Sequence, residues 1–215
     1  MRHLEFGNPA SPTLLVQPVG EHELSALERE AALIRELTGE DFCLLALQVD
    51  DWNRDLSPWP APPVFGREAF GGAAAQTLAE VLRQVEGRGS VRCIGGYSLA
   101  GLFALWAAGQ TGVFAGVAAA SPSVWFPGYV DALKSGGIRA GTVCLSLGDR
   151  EEKTRNPVMA TVGDRIRECH SFLLSRGVRC TLEWNEGNHF KDPELRMAKA
   201  FAWVMGQMRN MQPSG

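Results

Sequence analysis

From residue 42 onward the chain alternates short, almost wholly apolar runs with longer segments in which apolar residues recur every three or four positions. The runs are residues 42–49 (FCLLALQV), 91–94, 113–120, 142–147 and 178–184. Runs this short and this apolar are the signature of strands covered on both faces of a sheet. The segments predict helices: residues 73–86 with Ala74, Leu78, Val81, Leu82 and Val85 in register, residues 157–175 with Val158, Val162, Ile166, Cys169 and Leu173, a short one at 128–135, and a closing one at 193–208. Strands alternating with helices lie parallel, joined by crossovers, with helices on both faces of the sheet. The chain therefore reads as a single α/β domain, and in such sheets reactive groups gather in loops beyond the carboxyl ends of the strands.

The opening differs. Residues 2–6 and 13–18 are extended candidates separated by a turn-rich GNPASP, which predicts an antiparallel N-terminal hairpin. Residues 21–38 place Leu24, Leu27, Ala31, Ile34 and Leu37 at helical steps, with Glu28, Arg29, Glu30 and Arg35 assigned to the other faces and Gly39 ending the helix.

Composition removes several functions. The net charge is -3 with basic residues dispersed, so neither nucleic acid nor an anionic membrane is an expected partner. No apolar run approaches the length of a membrane span, and residues 1–20 lack the basic and apolar regions of a signal peptide. Cys43, Cys93 and Cys144 sit inside strand-like runs and read as reduced core residues of a cytoplasmic protein. Neither Cys-x-x-Cys nor His-x-x-x-His occurs, so no metal and no cofactor is expected.

Residues 50–72 (DDWNRDLSPWPAPPVFGREAFGG) form the one long irregular segment. Pro58, Pro60, Pro62 and Pro63 forbid regular ladders, yet Trp52, Trp59, Val64, Phe65 and Phe70 are too apolar for a disordered linker. A loop of this length predicts a lid or pocket wall, or else a loop packed on its own tryptophans.

The run at 91–94 passes through Gly95-Gly96-Tyr97-Ser98-Leu99-Ala100-Gly101 straight into a helix-forming run. Small residues on both sides of a serine suit a sharp turn that holds it at positive φ, exposed above the sheet edge, with the opening N-H groups of a helix behind it. Such a serine is a nucleophile or simply a helix N-cap. Two further carboxyl-end loops weigh on the choice. The loop after residue 147 carries Asp149, Glu151 and Glu152, and the loop before the closing helix carries His189. A serine hydroxyl needs a base to take its proton, histidine suits that role, and a carboxylate fixes the histidine tautomer. The chain order serine, acid, histidine is that of α/β-hydrolases.

These motifs resemble the α/β-hydrolase superfamily, in particular its group of esterase D-like and siderophore-esterase-like enzymes. The resemblance rests on Gly96-Tyr97-Ser98-Leu99-Ala100-Gly101, on residues 121–125 (SPSVW) and on Gly187-Asn188-His189-Phe190, within an alternation that covers nearly the whole chain. It implies an α/β-hydrolase fold and a serine hydrolase with Ser98 as nucleophile and His189 as base. The elbow departs from the usual pattern by having Ala100 in place of glycine. Family strands often end in Gly-x-x-Asp; counting from Gly148 puts Glu151 at the acid position, with Asp149 and Glu152 as alternatives.

The expected oxyanion hole uses the Leu99 N-H and a second donor after the 42–49 run, Trp52 or alternatively Asp51. Trp52, Trp59, Trp125 and Phe190 are the candidates to line the substrate pocket, and His3, His22 and His170 are assigned no role. The expected activity is cleavage of a small-molecule carboxylic ester through an acyl-serine. The same residues suit an acyltransferase or thioesterase, and the fold alone suits a non-catalytic binding protein.

Overall fold

The computed structural model of the chain describes residues 1–209. Its elements in chain order are β1 (Arg2–Gly7), β2 (Thr13–Val19), α1 (Leu27–Thr38), β3 (Cys43–Gln48), α2 (Trp52–Asp55), β4 (Pro60–Ala61), β5 (Phe70–Gly71), α3 (Ala74–Val85), β6 (Val91–Tyr97), α4 (Leu99–Gln110), β7 (Gly116–Ala120), α5 (Tyr129–Gly136), β8 (Thr142–Gly148), α6 (Val162–Ser175), β9 (Arg179–Asn185) and α7 (Pro193–Arg209). The main sheet has seven strands in the order β1-β3-β2-β6-β7-β8-β9, all parallel except β1.

Strand parity divides the core. Leu14, Val16, Cys43, Leu45, Leu47, Ile94, Val117, Val143 and Leu145 face α3, α4, α5 and α6 on one side. Leu15, Leu44, Cys93, Ala118 and Cys144 face α1 and α7 on the other. Apolar residues at both parities of the inner strands leave no polar face, which is why these runs read as continuously hydrophobic. At Gly95 a Cβ would run into the Phe201 ring of α7, so the glycine lets that helix close on the sheet.

The antiparallel pair at the N-terminus is present, but its partner differs from the expected hairpin. β1 pairs with β3, Arg2 opposite Gln48 through Gly7 opposite Cys43, and β2 lies parallel to β3 on its other side. Burial decides this: six of the seven β2 residues are buried, which requires a neighbour on each edge, whereas β1 alternates exposed and half-buried positions as an edge strand does.

Two helices also start later than their periodicity suggests. Residues 21–26 form a 3-10 turn ahead of α1, in which the Glu23 carboxylate accepts the Gly20 N-H at 2.8 Å. α6 starts at Val162 because the Asn156 side chain accepts the N-H groups of Val158 and Met159 and holds a separate 3-10 turn there, leaving Val158 exposed. In α1, Glu30 does not lie on a solvent face: with Leu27, Ala31 and Ile34 it belongs to the buried stripe.

Residues 50–72 fold into a wall. β4 and β5 pair as a small antiparallel ribbon. Phe70 stands edge-on to Phe126, and Phe65 edge-on to Trp125. Among the described residues no helix is long and apolar enough to cross a membrane.

Candidate active site

β6 ends in a turn whose strain is visible in the backbone. Ser98 sits at φ 55°, ψ -119°, a region that side-chain-bearing residues rarely occupy. Gly96 makes the turn possible, since any Cβ there would meet the Ala100 backbone. The Ser98 N-H donates to the Ala120 carbonyl at 3.1 Å, tying the elbow to β7. α4 opens at Leu99, so its free amides point to the space beside the serine.

His189 lies in the loop between β9 and α7, and Glu151 in the 3-10 turn after β8. The imidazole Nε2 is 3.0 Å from Ser98 Oγ, and Nδ1 is 2.6 Å from Glu151 Oε2. An ionised carboxylate only accepts, so Nδ1 carries the proton and Nε2 is left as the acceptor facing the serine. The Glu151 side chain is 5% exposed, and its other oxygen receives the Ser121 hydroxyl at 2.7 Å, the Gly148 N-H at 2.7 Å and the Arg196 guanidinium at 2.8 Å. Burial alone pushes this carboxyl up. The bond and charge of His189, with the Ser121 and Gly148 donors, outweigh burial and hold it below the ordinary carboxylate range.

The two other acids are engaged elsewhere. Asp149 accepts the Gly187 N-H at 2.7 Å and clips the β8 loop to the histidine loop. Glu152 pairs with Arg167 at the surface.

Arg196, Tyr97, Ser121 and Ser123, none of them assigned an individual role from sequence, complete the surroundings. Arg196, only 2% exposed, donates to Glu151, to the Tyr97 and Ser121 hydroxyls, and to the Glu186 and Asn188 carbonyls. The Tyr97 hydroxyl donates to the His189 carbonyl at 2.7 Å, and burial pushes its own pKa up to about 12. Ser123 Oγ is 3.4 Å from Ser98 Oγ. Ser121 is itself at φ 45°.

A cavity of about 700 Å³ opens beside Ser98 and His189, within the usual size of small-molecule sites. Trp52, Trp125 and Phe190 line it, as do Phe65 and Met159. Trp59 does not: it stands behind this wall, packed on Phe126 with its indole N-H donating to the Pro127 carbonyl at 2.9 Å. His22 does line it, stacked edge-on to Trp52 with ring centroids 4.9 Å apart, and burial lowers its pKa.

Asp51 is not free to stabilise an oxyanion. Its N-H donates to Asp55 at 2.9 Å, and its side chain caps α2 through the Arg54 N-H. The Trp52 N-H, at the start of α2, has no acceptor among the described residues, but its loop follows β3, one strand further from the elbow. The strand beside β6 is β2, not β3, so the loop bordering the elbow is Gly20 to Glu23. Among the described residues the N-H groups of Glu21 and His22, at the start of the 3-10 turn, have no acceptor. Among those residues, too, no cluster of three or more His, Cys, Asp or Glu side chains is arranged to hold a metal.

This sheet order, with a strained serine after its central strand, is the α/β-hydrolase fold, and solved structures of that fold match nearly the whole chain. A siderophore hydrolase, EstA, from Aspergillus nidulans superposes with a TM-score of 0.66 at 17% identity, covering 94% of this chain and 84% of that one. An IroE-like serine hydrolase from Shewanella oneidensis gives 0.71 at 12% identity, covering 94% and 74%. The enterobactin esterase FES from Shigella flexneri gives 0.64 at 14% identity; the match covers 96% of this chain but 55% of that one. No family model matches the sequence, and no curated protein matches it.

Proposed function

We propose that the protein is a serine hydrolase that cleaves a small-molecule carboxylic ester through an acyl-serine intermediate. The observation that carries this reading is the unbroken chain from Ser98 Oγ to His189 Nε2 at 3.0 Å and from Nδ1 to Glu151 Oε2 at 2.6 Å, at the wall of a cavity. That the matching structures bear the names of esterases and serine hydrolases supports the same choice.

In this reading Ser98 Oγ attacks the ester carbonyl carbon as its proton passes to His189 Nε2. The carbonyl π pair moves onto oxygen, and the resulting oxyanion meets the Leu99 N-H and the open N-H groups of Glu21 and His22. Glu151 stays ionised and offsets the imidazolium. The tetrahedral centre collapses, the C-O bond to the alcohol breaks, and His189 gives its proton to the departing oxygen. Water then repeats the steps on the acyl-serine, releasing the carboxylic acid and restoring the serine. Trp52, Trp125 and Phe190 hold the apolar part of the ester. The five cysteines are all free and four are buried, which supports placing the protein in a reducing compartment such as the cytoplasm.

A fluorophosphonate probe followed by peptide mapping tests the assignment. The expected result is a single label on Ser98 that disappears in His189→Ala; no label, or a label elsewhere, refutes it.

A further inference from the structure

One wall of the cavity has a chemistry that the hydrolysis steps do not use. It is built by the 3-10 turn after β2, by α1 and by the start of α7, and it presents Glu23, Glu30 and Glu194 together with Ala26 and Met197. Glu30 is 3% exposed. One of its oxygens accepts from Gln17 Nε2 at 3.4 Å, a long contact; the other, Oε1, has no partner among the described residues, and neither has Gln17 Oε1. Two orphaned acceptors at one place are costly, because each has given up water and received nothing. Glu23 keeps a single hydrogen bond, from the Gly20 N-H.

The charge on this wall is also unbalanced. The cation it does have, Arg29, pairs with Glu194 from the solvent side and is itself mostly exposed. Arg196 is committed to Glu151. The remaining cations lining the cavity, Arg150 and Lys153, follow β8, three strands away from β2 in the sheet. Among the described residues neither is paired with Glu23, Glu30 or Glu194. Burial, moreover, raises Glu30 well above the ordinary carboxylate range and Glu23 to about 7, as expected of acids that lack a counter-ion.

We infer that this wall is a subsite for a primary ammonium group carried by the ester, with the Glu30 carboxyl as hydrogen-bond acceptor and Glu23 as a second negative charge. An ammonium has three donors and no acceptor, which matches a wall that offers acceptors and no free cation. The apolar members of the lining, Ala26, Trp52 and Met197, suit the alkyl stem of such a group. The word substrate here rests on the hydrolase reading; the ammonium site itself does not.

The test has two arms. Calorimetric titration at pH 7.5 compares hexan-1-amine with hexan-1-ol on the wild type, on Glu30→Gln and on Glu23→Gln. The amine is expected to bind the wild type roughly tenfold or more tighter than the alcohol, the scale of one charge-assisted hydrogen bond, and Glu30→Gln is expected to remove most of that preference. Equal binding of the two probes, or a preference that survives in both variants, overturns the site. In the second arm, kcat/KM for 4-nitrophenyl 6-aminohexanoate is compared with that for 4-nitrophenyl heptanoate. A ratio of about ten or more that collapses in Glu30→Gln supports the substrate assignment, and a ratio of one or less overturns it. If neither ester is cleaved and Ser98 takes no fluorophosphonate, the hydrolase reading fails, while the titration still decides the ammonium site.

Discussion

The Arg196 guanidinium lies 2.8 Å from Glu151 Oε1, the carboxylate oxygen that His189 does not use. The pair is sealed from solvent, with side chains 2% and 5% exposed. A buried charge pair adds little net energy, but removing one partner leaves the other uncompensated. Arg196→Met is therefore expected to cost about 3 to 5 kcal/mol, because it strands Glu151 and two loop carbonyls together. Urea denaturation followed by circular dichroism measures this. Arg196→Lys, which keeps the charge but loses the fork that reaches Glu186 and Asn188, should fall in between.

At Ser98 stability and activity should separate. Its φ of 55° stores strain that alanine retains and glycine relieves. Ser98→Ala should leave the melting temperature nearly unchanged while turnover of short chromogenic esters falls by a factor on the order of 10⁶. Ser98→Gly should be equally inactive but more stable, by about 1 kcal/mol. Ester turnover surviving in either variant would remove Ser98 from the reaction.

The three acids of the β8 loop should give three different results. Glu151→Gln leaves the shape but supplies the wrong partner for Nδ1-H, and a loss on the order of 10⁴ in kcat is expected. Asp149→Asn weakens the clip to Gly187 and should act chiefly on stability. Glu152→Gln breaks only a surface pair and should change stability by less than about 0.5 kcal/mol, with activity intact. Steady-state kinetics on the three variants rank them directly.

The pH profile follows from the same geometry. Glu151 is held below the ordinary carboxylate value, so it remains ionised above that value and its contribution to stability is lost only as the pH falls through its lowered one. The fold should therefore stay intact over the range in which a histidine base loses activity by protonation. Activity that stays flat from about pH 5 to 8, the span over which histidine titrates, would remove histidine as the base.

What the sequence discloses here depends on whether a feature is local. The elbow is local: Gly96, Ser98 and Gly101 are spaced by the turn itself, so its strain could be read directly. Counting from Gly148 already favours Glu151, but what sets it apart in the fold is not local, since its second oxygen is held by Arg196, supplied 45 residues later. Nothing in the spacing of α7 distinguishes that arginine from a solvent-facing one. The partner of β1 was hidden for a related reason. Turn chemistry at residues 7–12 suggests a hairpin, but the need of β2 for two neighbours overrides it. Glu30 is the instructive case, because its signal was present. It falls three residues after Leu27, in the stripe with Ala31 and Ile34, an acid at a position the helix buries.

That position makes Glu30 a stability switch whose sign can be worked out. Its folded pKa is raised well above the unfolded value of 4.5, and that of Glu23 is raised to about 7. A group with a raised pKa contributes fully below its unfolded value and loses that contribution as the pH rises through the folded one. Ionising Glu30 inside the fold leaves a charge whose only hydrogen bond is the long one from Gln17, so the wild type should weaken between about pH 5 and 8. Glutamine cannot ionise. Glu30→Gln should therefore match the wild type near pH 4.5 and exceed it at pH 8 by about 1 to 3 kcal/mol, the penalty of an unsatisfied buried group. Thermal melts of both proteins across this range supply the check. Curves that stay parallel would mean that Glu30 ionises freely in the folded state, and the wall beside it would then be wet.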